Sequence, residues 1–182
     1  MTATAREVLA DCRWALTQQS PNLSGEALRV NWVAVMTLLR AVGHVLDNVD
    51  GKRSPALRGA VDTWWKEMKR SKPEPAIFWG FIEDARNLLI KEYALGFHRT
   101  IRGKEGPGKL NVRVHLEGAR SLTGRTTRIE PPAEAQVIGE LVAGHFKGRD
   151  ERQVAGEAIE WWEAQLWRID ELVAKHAQDT KD

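Results

Sequence analysis

The sequence predicts a mainly α (α+β) protein: a helical bundle with a small antiparallel β-hairpin or three-stranded sheet, and a C-terminal helix packed on the bundle. Three observations lead there. Apolar residues recur at helical spacing through residues 4–95, in segments bounded by cap and proline signals. Glycines then interrupt any helix across residues 96–148, where one run alternates with period two. A last amphipathic stripe occupies residues 149–176. At 182 residues the chain suits one domain with a well-filled core.

Residues 4–18 form the first expected helix, with Val8, Leu9, Cys12 and Leu16 on one stripe. Ser20-Pro21-Asn22 breaks it, and Ser24 is placed to cap a long second helix reaching Asn48, with Glu26 in its favourable first turn. Val30, Trp32, Val33, Val35, Met36, Leu38, Leu39, Val42, Val45, Leu46 and Val49 surround most of that helix, so it is expected at the centre. Asp50-Gly51 ends it. Ser54-Pro55 opens a third helix through Trp64, Trp65 and Met68 to Arg70, and Glu74-Pro75 opens a fourth over residues 75–95, with Gly96 as its stop. Short loops between four helices suggest an up-and-down arrangement.

Beyond residue 96, Leu110, Val112, Val114 and Leu116 share one face of an alternating strand, and Thr123 to Ile129 is read as its return. Residues 135–143 suit either state; Gly139 and Gly144 favour a third short strand. Asp150 is the expected N-cap of the last helix, whose stripe is Ala158, Ile159, Trp162, Leu166, Ile169 and Val173. Residues 177–182 are expected to fray.

Composition narrows the function classes. No apolar run approaches the ~20 residues of a membrane span. The N-terminus meets Glu7 before any apolar core of a signal peptide, so the expectation is a cytoplasmic protein without membrane association. One cysteine, Cys12, excludes an internal disulfide and suits a small buried apolar residue. Net charge is +2, but residues 96–130 are basic and residues 150–182 acidic. Eight tryptophans against one tyrosine point to cores or interfaces where each indole N–H finds an acceptor.

A polar row interrupts the second helix: Thr37, Arg40, His44 and Asp47 follow at i, i+3 and i+4. A buried charge has to be paired, so the row faces solvent, a partner or polar groups on another helix. The fourth helix offers matching groups in Glu83, Arg86, Asn87, Lys91 and Tyr93. In one reading Glu83 pairs with Arg40 or Arg86 and locks the bundle. In the other, Arg86 binds a phosphate and His44 transfers a proton in an RNA-cleaving site.

The stretch from Arg86-Asn87 to Tyr93 resembles the Arg-Asn-x-x-x-His-x-Tyr motif of HEPN-domain ribonucleases, with Lys91 at the histidine position. The resemblance implies a helical, dimeric bundle over the first ~95 residues and, where the motif is intact, metal-independent RNA cleavage. The departure matters, because histidine titrates near neutrality while lysine, with a pKa of about 10.4, holds an anion but is a poor base. Phe146-Lys147-Gly148-Arg149-Asp150-Glu151-Arg152, followed by Trp161-Trp162, is also similar to a group of uncharacterised bacterial proteins, which carries no activity over.

Arg99, Arg102, Lys104, Lys109 and Arg113 open the basic segment, where they can track an anionic backbone or guard strand edges against pairing. No phosphate loop, dinucleotide fingerprint, zinc-ligand spacing or nucleophile elbow is present, so no cofactor and no metal is expected. The leading expectation is a non-catalytic interaction or regulatory protein with a HEPN-like bundle, forming a homo-oligomer or binding a protein or nucleic acid. The alternative is a metal-independent ribonuclease or nucleotide-handling enzyme using Arg86, His44 and Glu83.

Overall fold

The computed structural model describes residues 1–20, 23, 25–92, 95–102 and 136–179. Their order is α1 (Ala3–Thr17), α2 (Gly25–Asn48), a 3-10 turn (Asp50–Lys52), α3 (Pro55–Arg70), a π-helical segment (Ile77–Glu83), α4 (Asp84–Glu92), β1 (Phe97–Arg102), β2 (Gln136–Leu141) and α5 (Glu151–Asp179). The fold class is the expected one, a mainly α bundle with a small antiparallel sheet.

α2 is the central helix. Trp32, Val35, Met36, Leu39, Val42 and Leu46 are buried on it, whereas Val30 and Val49 are exposed near its ends. α1 and α5 pack together along one side, and the paired tryptophans of α3 and α5 meet in one aromatic cluster. There Trp64 and Trp162 lie 5.7 Å apart, and Phe78 meets Trp162 edge-on at 5.8 Å. Gly43 makes room for that cluster, since a Cβ there would lie 3.1 Å from the Trp162 ring. Each central indole has its acceptor: Trp162 Nε1–H donates to the Leu39 carbonyl at 2.9 Å, Trp32 to Leu95 at 3.0 Å and Trp64 to the Gln165 amide at 2.9 Å. Cys12 is buried, and desolvation pushes its thiol up to about 12, which suits packing and not reactivity.

The helix starts follow their caps where these are described. Ser54 Oγ accepts from the Leu57 N–H at 3.2 Å, and Asp150 accepts from the N–H groups of Arg152 and Gln153 at 3.0 and 2.8 Å. The Ser24 cap lies outside the described residues. α1 has no side-chain cap of its own, and the buried Asp50 supplies one from the 3-10 turn, accepting from Thr4 and Ala5 N–H at 3.2 and 2.8 Å.

Three expectations need revision. The fourth helix is not uniformly α: Ile77–Glu83 is π-helical before α4 begins. Pro75 contributes no N–H to the ladder, and Gly80 lies in the segment against His145, whose Cβ is 3.3 Å from where a Gly80 Cβ would stand. Residues 97–102, not singled out as a strand, form β1, while the strand expected within 135–143 is present as β2. α5 runs on through Asp179, further than the expected fraying point. The strands expected at 110–116 and 123–129 lie outside the described residues. Among the described residues no helix is long and apolar enough to cross a membrane.

Candidate functional site

The polar row of α2 is largely spent on neighbouring elements. Arg40 pairs with Glu83 at 3.0 Å, both side chains about one-fifth exposed, and Arg40 also stands over the Phe78 ring at 6.0 Å. Asp47 is held by Arg58, which donates to its carboxylate at 2.6 Å and to its carbonyl at 3.0 Å, and bridges to Asp62 at 2.6 Å. Those carboxylates raise the Arg58 pKa above its ordinary value. Thr37 and His44 are exposed. On α4, Asn87 is half-buried and Lys91 exposed. Arg86 and Arg102 are described by their backbone alone, and Tyr93, Lys104, Lys109 and Arg113 lie outside the described residues. Of the two readings of Glu83, the observed contact is the interhelix pair with Arg40.

A second constellation centres on Arg99, the first residue of the expected anion-binding row. β1 and β2 are antiparallel with Phe97 opposite Leu141 and Arg99 opposite Gly139. Phe97 is buried against Trp32, 5.0 Å away edge-on, and two-residue alternation turns Arg99 inward on the same face. Arg99 is therefore no solvent-facing phosphate contact. It is 4% exposed, and its partner Glu151 is 1% exposed.

The chain delivers Glu151 there through a short return. After β2, Leu141 N–H donates to Arg149 at 2.9 Å and Gly148 N–H to Leu141 at 2.8 Å, with Gly144 and Gly148 both at positive φ. Asp150 then caps α5, and Glu151 enters as the first helical residue above Gly139. A Cβ on Gly139 would stand 1.7 Å from Glu151 Oε2, so the strand glycine is a steric requirement of the carboxylate.

The pair is lopsided. Arg99 Nε–H and Nη2–H donate to Glu151 Oε1 at 3.2 and 3.1 Å, and Gln19 Nε2–H reaches the same oxygen at 3.4 Å. Arg99 Nη1–H donates to the carbonyls of Leu23 at 2.8 Å and Ser20 at 3.4 Å, tying the sheet to the α1–α2 connection. Among the described residues Glu151 Oε2 has no hydrogen-bond partner, nor has the buried Gln19 Oε1. A buried acceptor left unsatisfied costs about 1–3 kcal/mol. Burial raises the Glu151 carboxyl above its ordinary range, with Arg99 acting against it, and burial likewise lowers the Arg99 guanidinium. Arg99, Gly139, Glu151 and the first turn of α5 line a recess of about 290 Å³.

Gln19, Gly139 and Glu151 were not among the expected site residues. The one usable signal was Gly139 inside a strand pattern, which marks a close approach without naming what approaches. Among the described residues no group of three or more His, Cys, Asp or Glu side chains is placed to hold a metal ion. No family model matches the chain, and no curated protein or solved structure shows a significant likeness to it.

Proposed function

We propose that this protein is a non-catalytic interaction protein with a HEPN-like helical bundle, and that its partner is a second copy of itself met through the outer face of α1 and α5. The observation that carries the first half is the Arg40–Glu83 contact. A carboxylate engaged by an arginine at 3.0 Å across the bundle is occupied as architecture. Lys91, at the position where the ribonuclease motif has histidine, is exposed, and no imidazole stands at that position.

The second half rests on where unburied aromatic surface remains. Trp14 on α1 is 67% exposed and Trp167 on α5 is 60% exposed, in a chain that buries its other central indoles. Large exposed aromatics are enriched at contact surfaces. The same face carries Arg6 over the Trp167 ring at 4.7 Å, Arg13 against Glu163 at 2.8 Å, and Asp170. A surface with both charge signs around apolar anchors is self-complementary under a two-fold axis.

Light scattering coupled to size exclusion tests this directly. The expected result is a dimer that Trp14→Ser together with Trp167→Ser converts to folded monomer. A wild-type chain that stays monomeric at high concentration overturns the self-association. Chelator-resistant cleavage of RNA, abolished by Arg86→Ala and His44→Ala, overturns the non-catalytic assignment.

A further inference from the structure

α5 carries two rows at helical spacing with different neighbours. Glu163, Trp167 and Asp170, at i, i+4 and i+7, lie on the α1 side, where Glu163 meets Arg13 and Asp170 meets Arg6. Trp161, Gln165 and Arg168, again at i, i+4 and i+7, lie on the α3 side, where Gln165 accepts from Trp64 and Arg168 donates to Glu67. Where α3 ends, this second row borders a groove of about 560 Å³ whose apolar lining is Met68, Pro75 and the half-buried Trp161.

The polar lining is rich in donors. Arg70 is exposed and has no ion-pair partner among the described residues. Gln165 turns its Oε1 to the Trp64 indole, which can only donate, so its amide NH2 points elsewhere. Among the described residues that NH2 is neither bonded nor sealed from solvent. Glu67, the carboxylate in the lining, is held by Arg168 at 2.6 Å, and the nearby Glu74 carboxylate is spent on the Ala76 N–H at 2.9 Å. Arg70 and Arg168 against Glu67 leave one net positive charge beside an aromatic floor. The negative end of the α3 dipole is countered by Lys69 and Arg70 in its last turn.

We propose that this groove binds a small aromatic carboxylate, its carboxylate received by Arg70 and the Gln165 amide and its ring laid against Trp161. The chemistry of the lining argues for that class. A cation would meet Arg70, and a neutral apolar molecule would leave the unspent donors facing it. A carboxylate accepts from a guanidinium and an amide NH2 at once, in charge-assisted bonds. A flat ring gains further by stacking on an indole, with the polarisable Met68 beside it. The volume, about 560 Å³, falls within the range of small-molecule sites. The groove uses the α3 row of α5, so it does not rest on the self-association proposed for the α1 row.

The test is calorimetric titration of the full chain with 3-phenylpropionate and indole-3-propionate. 3-Phenylpropanamide, which lacks the charge, and hexanoate, which lacks the ring, are the controls. The expected result is saturable binding of at least one aromatic acid, roughly tenfold or more tighter than either control. Gln165→Glu keeps an acceptor for Trp64 but turns an oxygen to the ligand, and should weaken binding about tenfold or more. Should Gln165→Glu fail to fold, Arg70→Ala, at an exposed position, carries the test with a similar loss. In nuclear magnetic resonance the Trp161 indole N–H signal should move on binding while that of Trp14 stays. The Trp14→Ser, Trp167→Ser double variant should bind as the wild type does. No saturation by either acid up to ~10 mM overturns the proposal. So do controls that bind as tightly as the acids, affinity indifferent to Arg70→Ala, or an unmoved Trp161 signal at saturation.

Discussion

Arg40–Glu83 and Arg99–Glu151 are both arginine–carboxylate pairs, 3.0 and 3.1 Å long, yet they sit in different surroundings. The first lies at the bundle surface with about one-fifth of each side chain in solvent; the second is sealed, at 4% and 1% exposure. In water-facing surroundings an ion pair gains little, and its loss leaves two groups that water can take back. In the sealed site neither partner has that refuge, and each depends on the other and on the Ser20, Leu23 and Gln19 contacts. Geometry alike to a tenth of an ångström therefore predicts nothing about energetic weight; burial does.

The largest expected effect tests that difference. Glu151→Ala strands a buried guanidinium and should cost ~3–5 kcal/mol in chemical denaturation. Arg99→Met combined with Glu151→Leu removes both charges and should recover most of the loss. A single-variant cost under about 1 kcal/mol would show that Arg99 finds water easily, and would erase the distinction from Arg40. Next comes Gly139→Ala, which sets a methyl 1.7 Å from Glu151 Oε2 and should cost ~1–3 kcal/mol by forcing the carboxylate out. Gly156, which has nothing within 4 Å on α5, is the contrast: Gly156→Ala should stabilise by ~0.5–1 kcal/mol.

These two regions also differ in how far the sequence announces them. Features written in a few consecutive residues were legible: the Ser54 and Asp150 caps, the Trp64-Trp65 and Trp161-Trp162 stripes, and the polar row of α2 with its pairing option to Glu83. The buried pair was not, because Arg99 and Glu151 are 52 residues apart, and Gln19 and Glu151 are 132 apart. Arg99 stands at the start of a run of basic residues, where local composition suggests a solvent-facing strip; the cross-strand opposition to Gly139 turns it inward. The π-helical segment was hidden for a related reason. Phe78, Phe81 and Ile82 keep a helical-looking spacing, while the close approach of His145 at Gly80 is a tertiary fact.

A pH series sharpens the comparison further. Burial raises the Glu151 carboxyl, with Asp150 adding to the shift and Arg99 opposing it. The folded protein then holds that proton more tightly than the unfolded chain, so within the window it binds more protons and loses stability as pH rises. The contribution is fully present below the unfolded carboxyl value of about 4.3 and disappears as pH passes the higher folded value. Against Glu151→Gln, which cannot titrate, the wild-type advantage should shrink through that interval. A difference in unfolding free energy that stays flat with pH would refute the raised carboxyl. Glu83→Gln, measured the same way, is the surface counterpart.

The smallest effect is the one that decides whether Arg40–Glu83 deserves to be called architecture. A double-mutant cycle of Arg40→Ala and Glu83→Ala should return a coupling of about 0.5–1 kcal/mol, screened by added salt because both groups reach solvent. The single Arg40→Ala loss should exceed the coupling, since the Arg40 guanidinium also stands over the Phe78 ring and beside Gly43, and the whole side chain is removed with the charge. Arg40→Met separates the two terms by keeping the stem. If it restores the single-variant loss down to the coupling energy, the contact is a modest electrostatic clasp over a packing role. A coupling of several kcal/mol, insensitive to salt, would place Arg40–Glu83 in the same class as the sealed pair and remove burial as the discriminating variable.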